Sequence, residues 1–175
     1  LLNVGSIELN YASLLLRNND NLQTQINNRV NDAAAITLRG GTLDVASRVG
    51  AIASETLGSL SLAQGANTVT ASVNYSVNTN QASFASLDLT FGALTRSAGA
   101  TVNFTGNNLG QQGNNARIIF ASTPALVGRG LLGAWAIANQ TDFAAYGAGQ
   151  GVGVVGQGGF AGYAAQNISA ATTTP

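Results

Sequence analysis

The stretch Ala35-Ile36-Thr37-Leu38-Arg39-Gly40-Gly41-Thr42-Leu43-Asp44-Val45 decides the fold class. Ile36 and Leu38 alternate with Thr37 and Arg39; after two glycines, Leu43 and Val45 alternate with Thr42 and Asp44. Such alternation places every second side chain on one face, which is the signature of a half-buried strand. Glycine then supplies the positive φ of a tight turn. Working outward, the same unit recurs at Ile7/Leu9, at Leu60/Leu62 before Gly65, at Leu87/Leu89 before Gly92, and at Val102/Phe104 before Gly106. The chain is therefore read as all-β.

One internal match supports a repeat. Leu57-Gly58-Ser59-Leu60-Ser61 aligns with Phe91-Gly92-Ala93-Leu94-Thr95, and Gly65-Ala66 with Gly99-Ala100, at a constant offset of 34 residues. Short strands, small turns and few charges leave two architectures: a solenoid of parallel strands and a sandwich of antiparallel strands.

The 175 residues suit one domain or a slice of a longer repetitive one, and the chain reads as an excerpt of a longer or processed polypeptide, since residue 1 is Leu. Only 8% of residues are charged, with 7 basic and 7 acidic side chains and no net charge. An ordinary globular chain carries about 25%. Every base is Arg, and His, Cys and Met are absent. Thiolate–imidazole zinc sites, Ser-His-Asp and Cys-His arrangements and disulfides are excluded. A neutral chain has no electrostatic attraction for nucleic acid. No stretch approaches the roughly 20 apolar residues of a membrane helix. Low charge with abundant amides does suit stacked strands, where like charges one ladder step apart repel and Asn side chains hydrogen-bond along the stack.

Three regions depart from the strand pattern. Residues 18–32 are amide-rich, with Leu22, Ile26 and Val30 four apart on one helical face and Asp20 placed to cap it. The competing reading is a polar loop with three buried anchors, favoured because Asn is a poor helix former. Residues 125–146 hold the sole Trp, Trp135. Residues 147–162 contain eight glycines, with Val152, Val154 and Val155 among them. The valines call for burial, so the tail is read as a packed glycine-rich strand. The domain division is 1–146 for the repetitive β domain and 147–175 for the glycine-rich strand or tail.

Four phrases carry a family resemblance: Asn31 to Leu38 followed by Gly40 to Leu43; Ser54 to Leu62; Leu94-Thr95-Arg96 with Ala98 to Phe104; and Leu131 to Ala136 with Thr141 to Tyr146. In this order they resemble the autotransporter-associated β-strand repeat proteins, large bacterial surface or secreted proteins. The resemblance covers about residues 5 to 146. It implies a right-handed parallel β-helix and a passenger or surface role, and it carries no catalytic residue. Ala134 stands where the family usually has Gly, and the glycine-rich tail matches no family phrase. A coil of about 20–25 residues predicts roughly seven coils stacked over on the order of 35 Å.

Candidate chemistry is sparse. The acids Glu8, Asp20, Asp32, Asp44, Glu55, Asp88 and Asp142 are scattered. A polysaccharide-cleaving β-helix needs clustered carboxylates with a base; Asp44 beside Arg39 or Arg48, and Asp88, are the places to test it. The Gly149–Gly153 run has neither the Asp of a calcium repeat nor the Lys of a phosphate loop. Trp135, Phe143 and Tyr146 form either a sugar-stacking platform or the seal of a core end, and the seal is favoured. Asp142 is read as a turn or helix cap rather than an acid catalyst. The expectation is a non-catalytic extracellular structural segment (a stalk, adhesin or fibre component) without catalytic, cofactor or metal residues. Its partners would be other copies of itself, adjoining solenoid coils or a surface polysaccharide. The tail around Val152–Val155 is a candidate strand for donation to a neighbour. The alternative is a carbohydrate-binding or polysaccharide-cleaving β-helix.

Overall fold

The computed structural model describes residues 1–18, 24–74, 85–111 and 113–163. These form fourteen strands and no helix. They are β1 (Ser6–Asn10), β2 (Ser13–Arg17), β3 (Ala35–Arg39), β4 (Thr42–Ala46), β5 (Ile52–Leu57), β6 (Leu60–Gln64), β7 (Ala66–Ser72), β8 (Ser86–Phe91), β9 (Leu94–Arg96), β10 (Thr101–Gly106), β11 (Ala116–Phe120), β12 (Ala136–Ala138), β13 (Asp142–Gly147) and β14 (Gly151–Val154). All six alternating units of the sequence are strands: β1, β3, β4, β6, β8 and β10.

The strands form three sheets. The first runs β1-β3-β6-β9, the second β2-β4-β7-β10-β12-β13-β14, and the third β5-β8-β11. The chain visits them in the same order three times, as β3-β4-β5, β6-β7-β8 and β9-β10-β11; the opening pass supplies β1 and β2. Every neighbouring pair is parallel up to β12, and only β12–β13 and β13–β14 are antiparallel. An antiparallel sandwich is thereby excluded. Gly40 and Gly65, both at φ +67°, turn the chain from the first sheet to the second on successive passes. They stack so closely that a Cβ on Gly65 would lie 3.3 Å from Gly40 Cα.

The inward faces form one apolar core in which like sits on like. Ile36 pairs with Leu60, Leu38 with Leu62, Leu43 with Val69 and Leu89 with Ile118. Phe91 stacks on Phe120 with ring centroids 5.8 Å apart. Each fully buried Leu, Ile or Phe contributes about 1.5–3 kcal/mol over its exposed state, and this repeated burial fixes the register, since a one-residue slip would turn a strand's apolar set outward.

Several expectations are corrected. Partners on successive passes lie from 24 residues apart (Ile36 and Leu60) to 35 apart (Ala66 and Thr101), so the shortest spacing meets the expected 20–25 residues while most exceed it, and the passes are fewer than predicted. The reason is that each full pass holds three strands and their connections. The 34-residue offset holds for Leu57/Phe91 and Leu60/Leu94, but Ala66 faces Thr101 rather than Ala100. Residues 24–34 contain no helix, and the region is the polar loop. Of its anchors, Val30 is fully buried, Ile26 is half exposed, and Leu22, like Asp20, lies outside the described residues. The division at 146/147 falls inside β13, and β14 packs back against it.

Candidate interaction surfaces

Among the described residues, three ion pairs run across the ladders, one on each sheet. Glu8 of β1 accepts from Arg39 of β3 at 3.0 Å. Asp44 of β4 accepts from Arg17 of β2, rather than from Arg39 or Arg48, because β2 is the strand beside it. Asp88 of β8 faces Arg117 of β11 directly and receives two of its N–H groups, one from Nε at 2.7 Å. These bonds raise the Arg17 and Arg117 pKa above the usual guanidinium range. Glu55, on the inward face of β5, is buried and accepts the backbone N–H groups of Arg29 and Val30 at 3.0 and 2.9 Å. Asp142 accepts from the Phe143 N–H at 2.7 Å and from the Tyr163 hydroxyl. Asp44 and Asp88, the acids at which a cleavage site would be tested, thus lie on different sheets. Among the described residues no acidic group gathers to hold a metal.

The amides work as joints between passes. Asn67 is buried; its Oδ1 accepts from Gly41 N at 3.1 Å, and its Nδ2 donates to the carbonyls of Gln64, Gly65 and Thr101. One side chain therefore ties three passes. Asn107 accepts from Val73 N and Asn139 from Gly106 N, both at 2.9 Å. These bonds run to the main chain of the next pass, not from Asn to Asn as in a side-chain ladder.

The two ends differ. At the first, β1 and β2 are the outer strands of their sheets. Leu1, Leu2, Tyr11 and Leu15 are each more than half exposed there. The third sheet is covered at this end by residues 25–30. Gln25 Oε1 accepts from Arg48 N at 2.8 Å, Asn27 Oδ1 from Ser54 N at 3.1 Å and Asn28 Oδ1 from Thr56 N at 3.3 Å. The amide-rich segment imitates a strand against β5.

At the other end the β13–β14 hairpin closes the core. Ala144 pairs with Val154 and Tyr146 with Val152, and Val152, Val154 and Val155 are buried. The tail strand is thus already paired within the chain. Gly151 approaches β11 so closely that a Cβ would lie 2.3 Å from the Ile118 carbonyl oxygen. The aromatic trio divides: Tyr146 is buried in the seal, Phe143 is half-buried, and Trp135 lies apart under Arg96, whose guanidinium carbon is 5.2 Å from the ring centre.

Trp135 lines a groove of about 480 Å³ on the outer side of the second sheet, with Thr68, Thr101, Asn103, Ile137 and Gln140. Asn103 Oδ1 accepts from Gln140 N at 3.2 Å, which joins β10 to the turn after β12. Sequence reading singled out Trp135 but not its polar neighbours, which converge only through the pairing of Thr68 with Asn103 and Asn103 with Ile137.

Fold and surfaces together define an all-β protein of parallel and mixed sheets with paired charges and two unlike ends. Comparison with protein-family models, with curated proteins and with solved structures finds no match to this chain.

Proposed function

We propose that this chain is a right-handed parallel β-helix segment with a structural role, serving as a stalk, adhesin or fibre component at a bacterial surface. The observation that carries the reading is the fixed order in which the chain visits its three sheets, with parallel pairing at every return. Parallel strands joined by such crossovers are right-handed in nearly all known cases. The repeat phrases of autotransporter-associated β-strand proteins support the same reading. Inter-pass hydrogen bonds and paired charges favour rigidity and protease resistance over chemistry.

Self-association, in this reading, uses the outer edges of β1 and β2, where main-chain groups that no described strand pairs lie beside exposed Leu15 and Tyr11. The β13–β14 hairpin covers the core at the opposite end, so where the partner is another copy of this chain rather than an adjoining coil, the two join through their β1–β2 ends in a two-fold pair. Sedimentation velocity tests this. A concentration-dependent dimer is expected, and Leu15→Lys should return it to monomer with unchanged circular dichroism. A chain that stays monomeric at high concentration sinks the assembly claim. Release of unsaturated product from polygalacturonate would sink the non-catalytic claim and favour the cleaving alternative.

A further inference from the structure

We infer that the Trp135 groove is a binding site for an extended, neutral, β-linked glycan. This goes beyond the structural reading and stands on separate observations. The first is charge. All the residues lining the groove are uncharged. Arg96 lies over the indole and donates to the carbonyls of Ser97 and Ala100. A neutral polyhydroxyl chain pays no charge-desolvation cost there, whereas a polyanion would meet one cation beside the indole and none in the lining itself.

The second observation is chemistry of the lining. Trp135 and Ile137 offer apolar surface, and polar groups stand around them. The hydroxyls of Thr68 and Thr101, the Nδ2 of Asn103 and the side-chain amide of Gln140 make no hydrogen bond to any described residue. By contrast Asn67, at the floor, has both ends of its amide satisfied. A mostly apolar concavity with a few unspent donors and acceptors is the usual make-up of a small-ligand site. An indole presents an apolar face to sugar C–H groups and a polar N–H at its edge.

The third observation is spacing. Thr68, Asn103 and Ile137 sit in register on β7, β10 and β12. Their rows are therefore one inter-strand step apart, about 4.8 Å, close to the length of one hexose unit. A flat, extended glycan lying across the strands meets one residue per sugar. A coiled α-linked chain would not keep that step.

Trp135 is the sole tryptophan, so its fluorescence reports on this groove alone. Cellohexaose, xylohexaose and mannohexaose are the probes, with hexagalacturonate as the acidic comparator. At least one neutral hexamer should change the emission saturably, with little dependence on salt. Gln140→Ala, an exposed position, should weaken that binding about tenfold with the far-ultraviolet spectrum unchanged, and Thr68→Val should weaken it as well. Trp135→Leu should abolish calorimetric binding. The inference fails if none of the three neutral hexamers perturbs the emission at millimolar concentration, if hexagalacturonate alone does so, or if binding is untouched by Gln140→Ala and Thr68→Val. Since assembly uses the opposite end, loss of dimerisation with glycan binding retained would strike only the earlier proposal.

Discussion

The Tyr146 hydroxyl both donates to the carbonyl of Phe120, at 2.9 Å, and accepts from the N–H of the same residue, at 3.0 Å. One side chain of the closing hairpin thereby satisfies both main-chain groups at the end of β11. Its ring also packs on Phe120, with centroids 5.8 Å apart. The phenol thereby anchors the closing hairpin to the end of β11.

Tyr146→Phe keeps the ring and removes both bonds. Leaving a buried donor and acceptor unpaired costs about 1–3 kcal/mol. Urea unfolding should show that loss with little change in slope, and the Phe120 amide should exchange faster. An unchanged midpoint would mean that water replaces the hydroxyl and that the hairpin does not seal this end.

Glu55→Ala should be among the most damaging single changes. It strips the acceptor from two backbone N–H groups, Arg29 and Val30, where Val30 is fully buried. A loss of about 2–5 kcal/mol is expected. Glu55→Gln retains one side-chain oxygen and should fall between wild type and Ala. Equal stability of the two variants in chemical denaturation would contradict the capping role.

Gly58 and Gly92 occupy matching positions in the internal repeat, yet they should respond differently to alanine. A Cβ on Gly58 would lie 2.6 Å from the Ala33 carbonyl oxygen, whereas on Gly92 its nearest neighbour is 3.6 Å away. Gly58→Ala therefore forces backbone to move, at about 1–3 kcal/mol, while Gly92→Ala meets ordinary contact. Thermal melts of the two variants decide it, and a Gly92→Ala protein as unstable as Gly58→Ala would overturn the argument.

Tyr163 donates its hydroxyl proton to Asp142, and this bond, helped by desolvation and the carboxylate charge, raises its pKa above the ordinary 10.0. The protonated form is the one the fold favours. The contribution is fully present below the unfolded value and is lost as pH rises through the raised folded value. Ultraviolet titration of tyrosinate, compared with Tyr163→Phe, should show the Tyr163 phenol ionising above its ordinary range. Asp142→Asn should bring that ionisation back toward the ordinary range.

The strands with an unbroken alternation were legible from residues alone, as in Ile36/Leu38 and Val102/Phe104. Others were hidden by local chemistry. In β2 the run Leu14-Leu15-Leu16 masks the period, because Leu15 faces outward and is more than half exposed. In β5 a carboxylate stands where an apolar residue is expected, since Glu55 is matched by main-chain donors about 25 residues earlier. The amide-rich stretch looked like a loop, and its function as a cap over β5 depends on Ser54 and Thr56 arriving beside it.

By itself the sequence determined the all-β class, the faces of its clearest strands, the places of the glycine turns and the poverty of charge-based chemistry. Those properties are set by neighbours within a few residues: alternation, turn propensity and composition act locally. Tertiary structure decided which strands pair, that they pair in parallel, which end is sealed, and which polar groups remain unspent around Trp135. The parallel pairings join residues 24 to 35 apart, where connection length and core packing, not local preference, choose the partner.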